Sequence, residues 1–195
     1  MRKLLLVLVI VSVAMPVCAD TTTDLLDSAK SNYEANKYSK ALDDLDWARK
    51  EIVKKQVETL KKYLPSNVQG FTQEDPSSAS VMTMTSLNRR YSETSSGNSV
   101  EITVMTAGAD SGMGAFMGMA ATFAGMGQAE NSSMIMSHGK RGTLIAEPTD
   151  NKFTATFSLA KSVVVTIESL GFGTDSEVKK FAELTDLAGL EKEFE

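Results

Sequence analysis

Thiols and imidazoles are almost missing from this chain. Cys18 is the one cysteine and His138 the one histidine among 195 residues. Cys18 falls inside a segment that reads as removed on export, and without it the mature chain has no thiol. Disulfides, thiolate zinc sites and cysteine nucleophiles are then excluded. Zinc sites built from several His or Cys ligands are excluded by count. A Ser-His-Asp arrangement has to use His138, and the run Ser137-His138-Gly139-Lys140-Arg141-Gly142 reads as an exposed hairpin tip, where a solvated histidine is expected.

Phosphate-cradling glycine motifs are absent too. No GxxxxGK[ST] occurs, and Gly112-Met113-Gly114-Ala115-Phe116-Met117-Gly118 misses the dinucleotide spacing by one residue and lacks the acidic partner downstream. Trp47 is the one tryptophan, beside four tyrosines and eight phenylalanines, a thin supply for stacking sugars. Asp43, Asp44 and Asp46 cluster, but near-consecutive helical positions face different directions, so they read as a solvated face. No carboxylate pair suited to glycoside hydrolysis stands out. A hydrolase of unrecognised type is the weakest of the readings that follow.

The N-terminus sets the expected compartment. Arg2 and Lys3 precede an uncharged apolar run from Leu4 to Met15, Pro16 ends it, and Val17-Cys18-Ala19 places small residues before Asp20. These are the three parts of a cleavable secretory signal peptide over residues 1–19, with cleavage after Ala19. The run is short of the roughly 20 apolar residues of a membrane span. Lipidation of Cys18 is the competing expectation, although Met15-Pro16-Val17 fits a lipoprotein cleavage site poorly. Losing Arg2 and Lys3 takes the formal charge from −5 to −7. An acidic mature chain argues against nucleic acid or an anionic lipid face as partner. The expected location is periplasmic or secreted, with no transmembrane segment after cleavage.

What remains has two periodicities. Leu25, Ala29, Tyr33, Tyr38, Ala41, Leu45 and Ala48 recur at three- to five-residue intervals, as in an amphipathic helix pair. The spacing predicts a turn near Asn36-Lys37 and a second helix from about Ser39 to Leu64, which Pro65 ends. From Gly70 onward the period is two. Met82 and Met84, then Val100, Ile102 and Val104, then Phe153, Ala155, Phe157 and Leu159, then Val163, Val165 and Ile167 alternate with polar residues, the pattern of half-buried antiparallel strands. Turns are expected at Ser95–Asn98 and Ala160–Ser162. A further strand pair is expected at 133–137 and 143–147, turning over His138–Gly142. Thr174-Asp175-Ser176-Glu177 has capping-box spacing, followed by a stripe of Val178, Phe181, Ala182 and Thr185 and a last turn through Leu187 and Leu190. The fold class is therefore α+β: an antiparallel sheet covered by helices, preceded by a helical hairpin at 20–65, with the sheet domain at 66–195.

Ala29, Tyr38, Ala41, Leu45 and Ala48 resemble the small/aromatic pattern of one tetratricopeptide (TPR) hairpin. The likeness covers about 25 residues, the turn is one residue short, and no second copy follows, whereas such repeats are stacked in threes or more. It implies a hairpin packed on the domain after it and not a peptide-binding array. The element order, with Leu64-Pro65 followed by Gly70-Phe71, resembles PsbP-like extracytoplasmic domains. The chain as a whole resembles uncharacterised exported bacterial proteins that pair a TPR-like hairpin with such a sheet.

Residues 111–128 carry no charge and are rich in methionine and glycine. Helical spacing groups Met113, Phe116, Met117, Ala120 and Ala124, and separately Met119, Phe123 and Met126. A helix apolar on all sides is buried or meets an apolar partner. Three readings follow. In the first the segment is a buried helix with methionine as adaptable filler. In the second, Met113, Phe116, Met117, Met119, Phe123 and Met126 form a binding surface for a protein partner or small apolar ligand. In the third, soft thioethers hold Cu(I), with Met134, Met136 and His138 on one face of a strand. The leading expectation is an exported, non-enzymatic binding protein without a cofactor; a periplasmic copper-binding protein is the alternative.

Overall fold

The computed structural model describes residues 21–81, 84–107, 131–159 and 163–194. The chain divides into two compact units, residues 1–52 and 53–195. The division falls inside the second helix, before the Pro65 boundary suggested by the sequence. Val57, Leu60 and Leu64 explain this, because all three belong to the core of the second unit.

α1 (Thr21–Glu34) lies in the first unit, and α2 (Tyr38–Leu60) begins there and ends in the second. Asn36 takes a left-handed φ of 59° in the turn, a conformation asparagine tolerates better than most residues. Ala29, Ala41 and Ala48 are buried, so small side chains form the seam where the two helices approach. α2 is extended by a 3-10 turn at Lys61–Tyr63, and Leu64 then adopts an extended ψ of 143°, as a residue before proline must.

The second unit is built on an eight-stranded sheet. Its strands are β1 (Phe71–Gln73), β2 (Ser77–Val81), β3 (Met84–Glu93), β4 (Ser99–Ala107), β5 (Ser132–Ser137), β6 (Lys140–Glu147), β7 (Lys152–Leu159) and β8 (Val163–Leu170). The order is β1-β3-β4-β8-β7-β6-β5, with β2 also paired to β3, and every pairing is antiparallel. β8 is inserted between β4 and β7, so β4 and β5 run in the same direction with three strands between them.

The alternating apolar residues face one side. Leu87 pairs with Val104, Val104 with Val165, and Val165 with Phe157. These side chains are fully buried, together with Val178, Phe181 and Ala182 of α3 (Ser176–Leu184) and Leu187 and Leu190 of α4 (Leu187–Glu193). The rings of Phe71 and Tyr91 lie 5.1 and 4.8 Å from that of Phe181. The Tyr91 hydroxyl donates to the Pro65 carbonyl at 2.8 Å, which ties the segment after α2 to the core. Burial raises the Tyr91 pKa above its ordinary value.

The opposite face carries a polar row, beside the apolar pair of Met105 and Val164. Asn88, Thr103, Thr166, Thr156 and Thr143 stand in one register row across five strands. Directly opposed threonines of this kind favour adjacent strands.

The sheet confirms the period-two reading in its long strands, with four local corrections. Met82 lies outside the described residues, and in β3 Thr85 is buried while Met84 is not, the reverse of the phase expected there. The β5–β6 turn is two residues long, His138 and Gly139, both at positive φ (49° and 72°), as a tight hairpin matched to strand twist requires. Gly142 is therefore not a turn residue. It lies within β6, where an added Cβ would come within 2.7 Å of the Phe157 ring. The capping box does not form: Asp175 occupies the N-cap without a side-chain cap bond, and the Thr174 and Ser176 hydroxyls bond each other at 2.8 Å.

Candidate functional site

An exposed apolar groove runs along the hairpin of the first unit. Leu26, Ala29, Lys30 and Tyr33 of α1 and Tyr38, Ala41, Leu42 and Leu45 of α2 line it. Its volume is about 480 Å³. The lining positions fall three and four residues apart, which puts them on one face of each helix. The alanine seam forms the floor, and larger side chains form the walls. Leu26, Tyr33, Tyr38, Leu42 and Leu45 are between 44% and 66% exposed, so of the stripe read from the sequence Ala29, Ala41 and Ala48 are buried while Tyr33, Tyr38 and Leu45 are open to solvent.

The groove has defined walls. Tyr33 and Tyr38 pack edge to face with ring centres 5.7 Å apart, an orientation that aromatic quadrupoles favour. The Tyr38 hydroxyl donates to Asn36 Oδ1 at 2.8 Å, which fixes this ring to the turn. On the other side of the seam the hairpin is polar. Ser28 Oγ donates to Asp44 Oδ2 at 2.7 Å, and Asn32 Nδ2 donates to the same oxygen at 2.8 Å. One side of the helix pair carries these hydrogen bonds and the Lys50–Trp47 contact, and the other carries the apolar groove.

Sequence reasoning placed the binding surface elsewhere. Met113, Phe116, Met117, Met119, Phe123 and Met126 lie outside the described residues. Met134 and Met136 do share a face of β5, at 65% and 51% exposure. His138 does not join them. β5 ends at Ser137, and the positive φ of His138 turns it away from the strand repeat. Its Nε2 instead donates to the Glu183 carbonyl of α3 at 2.7 Å. Beside it, Ser137 Oγ donates to the Ala182 carbonyl at 2.9 Å. The two residues fasten the β5–β6 hairpin to the last turn of α3. Among the described residues no group of three or more His, Cys, Asp or Glu side chains is placed to hold a metal ion.

Neighbouring carboxylates occur at Glu101 and Glu168, directly opposed on β4 and β8. Arg90 lies 3.0 Å from Glu101 and Lys152 lies 3.1 Å from Glu168. Each acid is matched by a cation, and the hydrogen bond to Glu168 raises the Lys152 pKa. This is a balanced network of partly exposed ion pairs.

The signal for the groove was present in the hairpin: alanines at the seam, with leucine and tyrosine one helical step to one side and Ser28, Asn32 and Asp44 to the other. Among the described residues no helix is long and apolar enough to cross a membrane. No protein-family model, curated protein or solved structure matches this chain.

Proposed function

We propose that this chain is an exported, non-enzymatic protein whose helical hairpin docks a protein partner along its apolar groove. The observation that carries the reading is the open stripe of Leu26, Tyr33, Tyr38, Leu42 and Leu45. A contiguous apolar surface rimmed by polar groups marks an interaction site, and a groove between two helices suits an amphipathic helix. The signal-like residues 1–19 support export. The TPR-like pattern of the hairpin supports a role in protein contact, although a lone hairpin supplies one groove and not an array.

The experiment is photocrosslinking in cells, with a benzoyl-phenylalanine placed at Leu42. A protein adduct is expected, and it should disappear when Leu26 and Tyr33 are both changed to Asp. Absence of any adduct, or an adduct indifferent to those changes, overturns the docking reading.

A further inference from the structure

We infer that the occupant of the groove is a second copy of the same hairpin, giving a four-helix dimer interface about a two-fold axis. The inference rests on the docking reading above and names its partner.

The first argument is sidedness. A hairpin in a stacked repeat array must be apolar on both broad sides, because it has a neighbour on each. Here one side carries the Ser28–Asp44–Asn32 hydrogen bonds and, one turn beyond Asp44, the exposed Trp47 ring beneath the Lys50 ammonium, while the open apolar groove lies on the other. A single sticky side cannot propagate a stack. It is satisfied by closure with its own copy, the arrangement of an isologous interface, in which the same patch serves both subunits. Two antiparallel helix pairs packed by their apolar stripes make a four-helix bundle.

The second argument is charge. Lys30 is the charged side chain among those lining the groove, and no ion-pair partner holds it among the described residues. The exposed carboxylates of Asp27, Glu34 and Asp46 lie three or four residues from Lys30 or Leu42, which places them along the rim. The surface therefore carries both a cation within the apolar strip and anions beside it. Turned onto itself, it sets each Lys30 against the rim carboxylates of the other copy. Such electrostatic complementarity fixes register more than it adds affinity.

The third argument is size. The five open side chains together expose the equivalent of nearly three whole ones, on the order of 500 Å² if each offers roughly 150–250 Å². That approaches the about 800 Å² per partner of a standard interface once flanking polar residues are included.

The test is the mass in solution of the purified protein, as cells process it, by light scattering across a wide concentration range. The expected result is twice the chain mass, falling to the monomer mass for Leu42→Asp with an unchanged far-ultraviolet spectrum. Lys30→Glu should weaken the dimer at least tenfold, and combining it with Glu34→Lys and Asp27→Lys should restore most of the loss. A monomer at every concentration, or a dimer indifferent to Leu42→Asp, overturns the inference. The Leu42 crosslink separates the two levels: an adduct with the chain itself supports both. An adduct with a different protein overturns self-association and leaves the docking reading standing. No adduct overturns both.

Discussion

The sheet unit and the hairpin both begin from an apolar stripe on regular secondary structure, and they end in different states. In the sheet unit, Phe181, Tyr91, Phe157 and Ile167 have no exposed surface, and the stripe of α3 meets a sheet face of matching alternation. In the hairpin, Ala29, Ala41 and Ala48 are buried to between 1% and 5% exposure, while the larger side chains next to them stay in contact with water. Two helices share only one seam. A pair with small residues in that seam closes tightly and leaves its larger apolar residues outside. Stability is concentrated in the sheet unit, and the hairpin carries a surface.

This difference can be sharpened by substitution. Phe181→Ala should cost about 3–5 kcal/mol, because it opens a cavity between Phe71 and Tyr91. Tyr33→Ala should cost less than about 1 kcal/mol in the same urea titration. If the two costs are similar, the contrast between the units fails.

Gly142→Ala should destabilise by roughly 1–3 kcal/mol, since the new methyl overlaps the Phe157 ring and the Thr156 carbonyl. Asp186→Ala removes the acceptor that caps α4 through the Gly189 amide and should cost about 1 kcal/mol.

Tyr91→Phe should cost a similar amount, about 1 kcal/mol, through the lost bond to the Pro65 carbonyl. It carries a pH signature as well. The pKa of Tyr91 is raised above 10.0 in the folded chain by burial, so the unfolded chain ionises first. Stability from this group is complete below pH 10 and falls as pH rises through the folded pKa. Tyr63 adds to the same trend, because its hydroxyl donates to Glu193 and its pKa is raised chiefly for that reason. Urea titrations from pH 8 upward should show the alkaline loss of stability shrinking in Tyr91→Phe. An unchanged slope would remove Tyr91 from the account.

Much of the fold is legible because periodicity survives in the long elements. β4 alternates cleanly and β7 and β8 alternate over part of their length, and Val178, Phe181, Ala182, Leu187 and Leu190 are buried as their spacing requires. β1 and β2 are not legible. Phe71-Thr72-Gln73 offers one apolar residue in a three-residue strand, and Ser77-Ser78-Ala79-Ser80-Val81 is a polar run held by its pairing with β3. No local pattern distinguishes such strands from loop. The His138–Gly142 run was misjudged for a related reason. Two glycines suggested a long turn, whereas one supplies positive φ and the other makes room for Phe157.

The candidate site was harder to see. A helical stripe states that residues share a face, not whether that face is covered. The size sorting within the stripe, alanine at the seam and leucine or tyrosine beside it, carries the missing information.

The most direct test of the central claim is the unfolding of Leu42→Asp beside the parent protein, read by tryptophan fluorescence and far-ultraviolet dichroism at one low concentration where both are monomeric. The account predicts midpoints equal within about 0.5 kcal/mol of stability, because Leu42 faces solvent within its own chain. A loss of 2 kcal/mol or more, about that of a buried leucine, would show that the groove belongs to the core and would contradict the account.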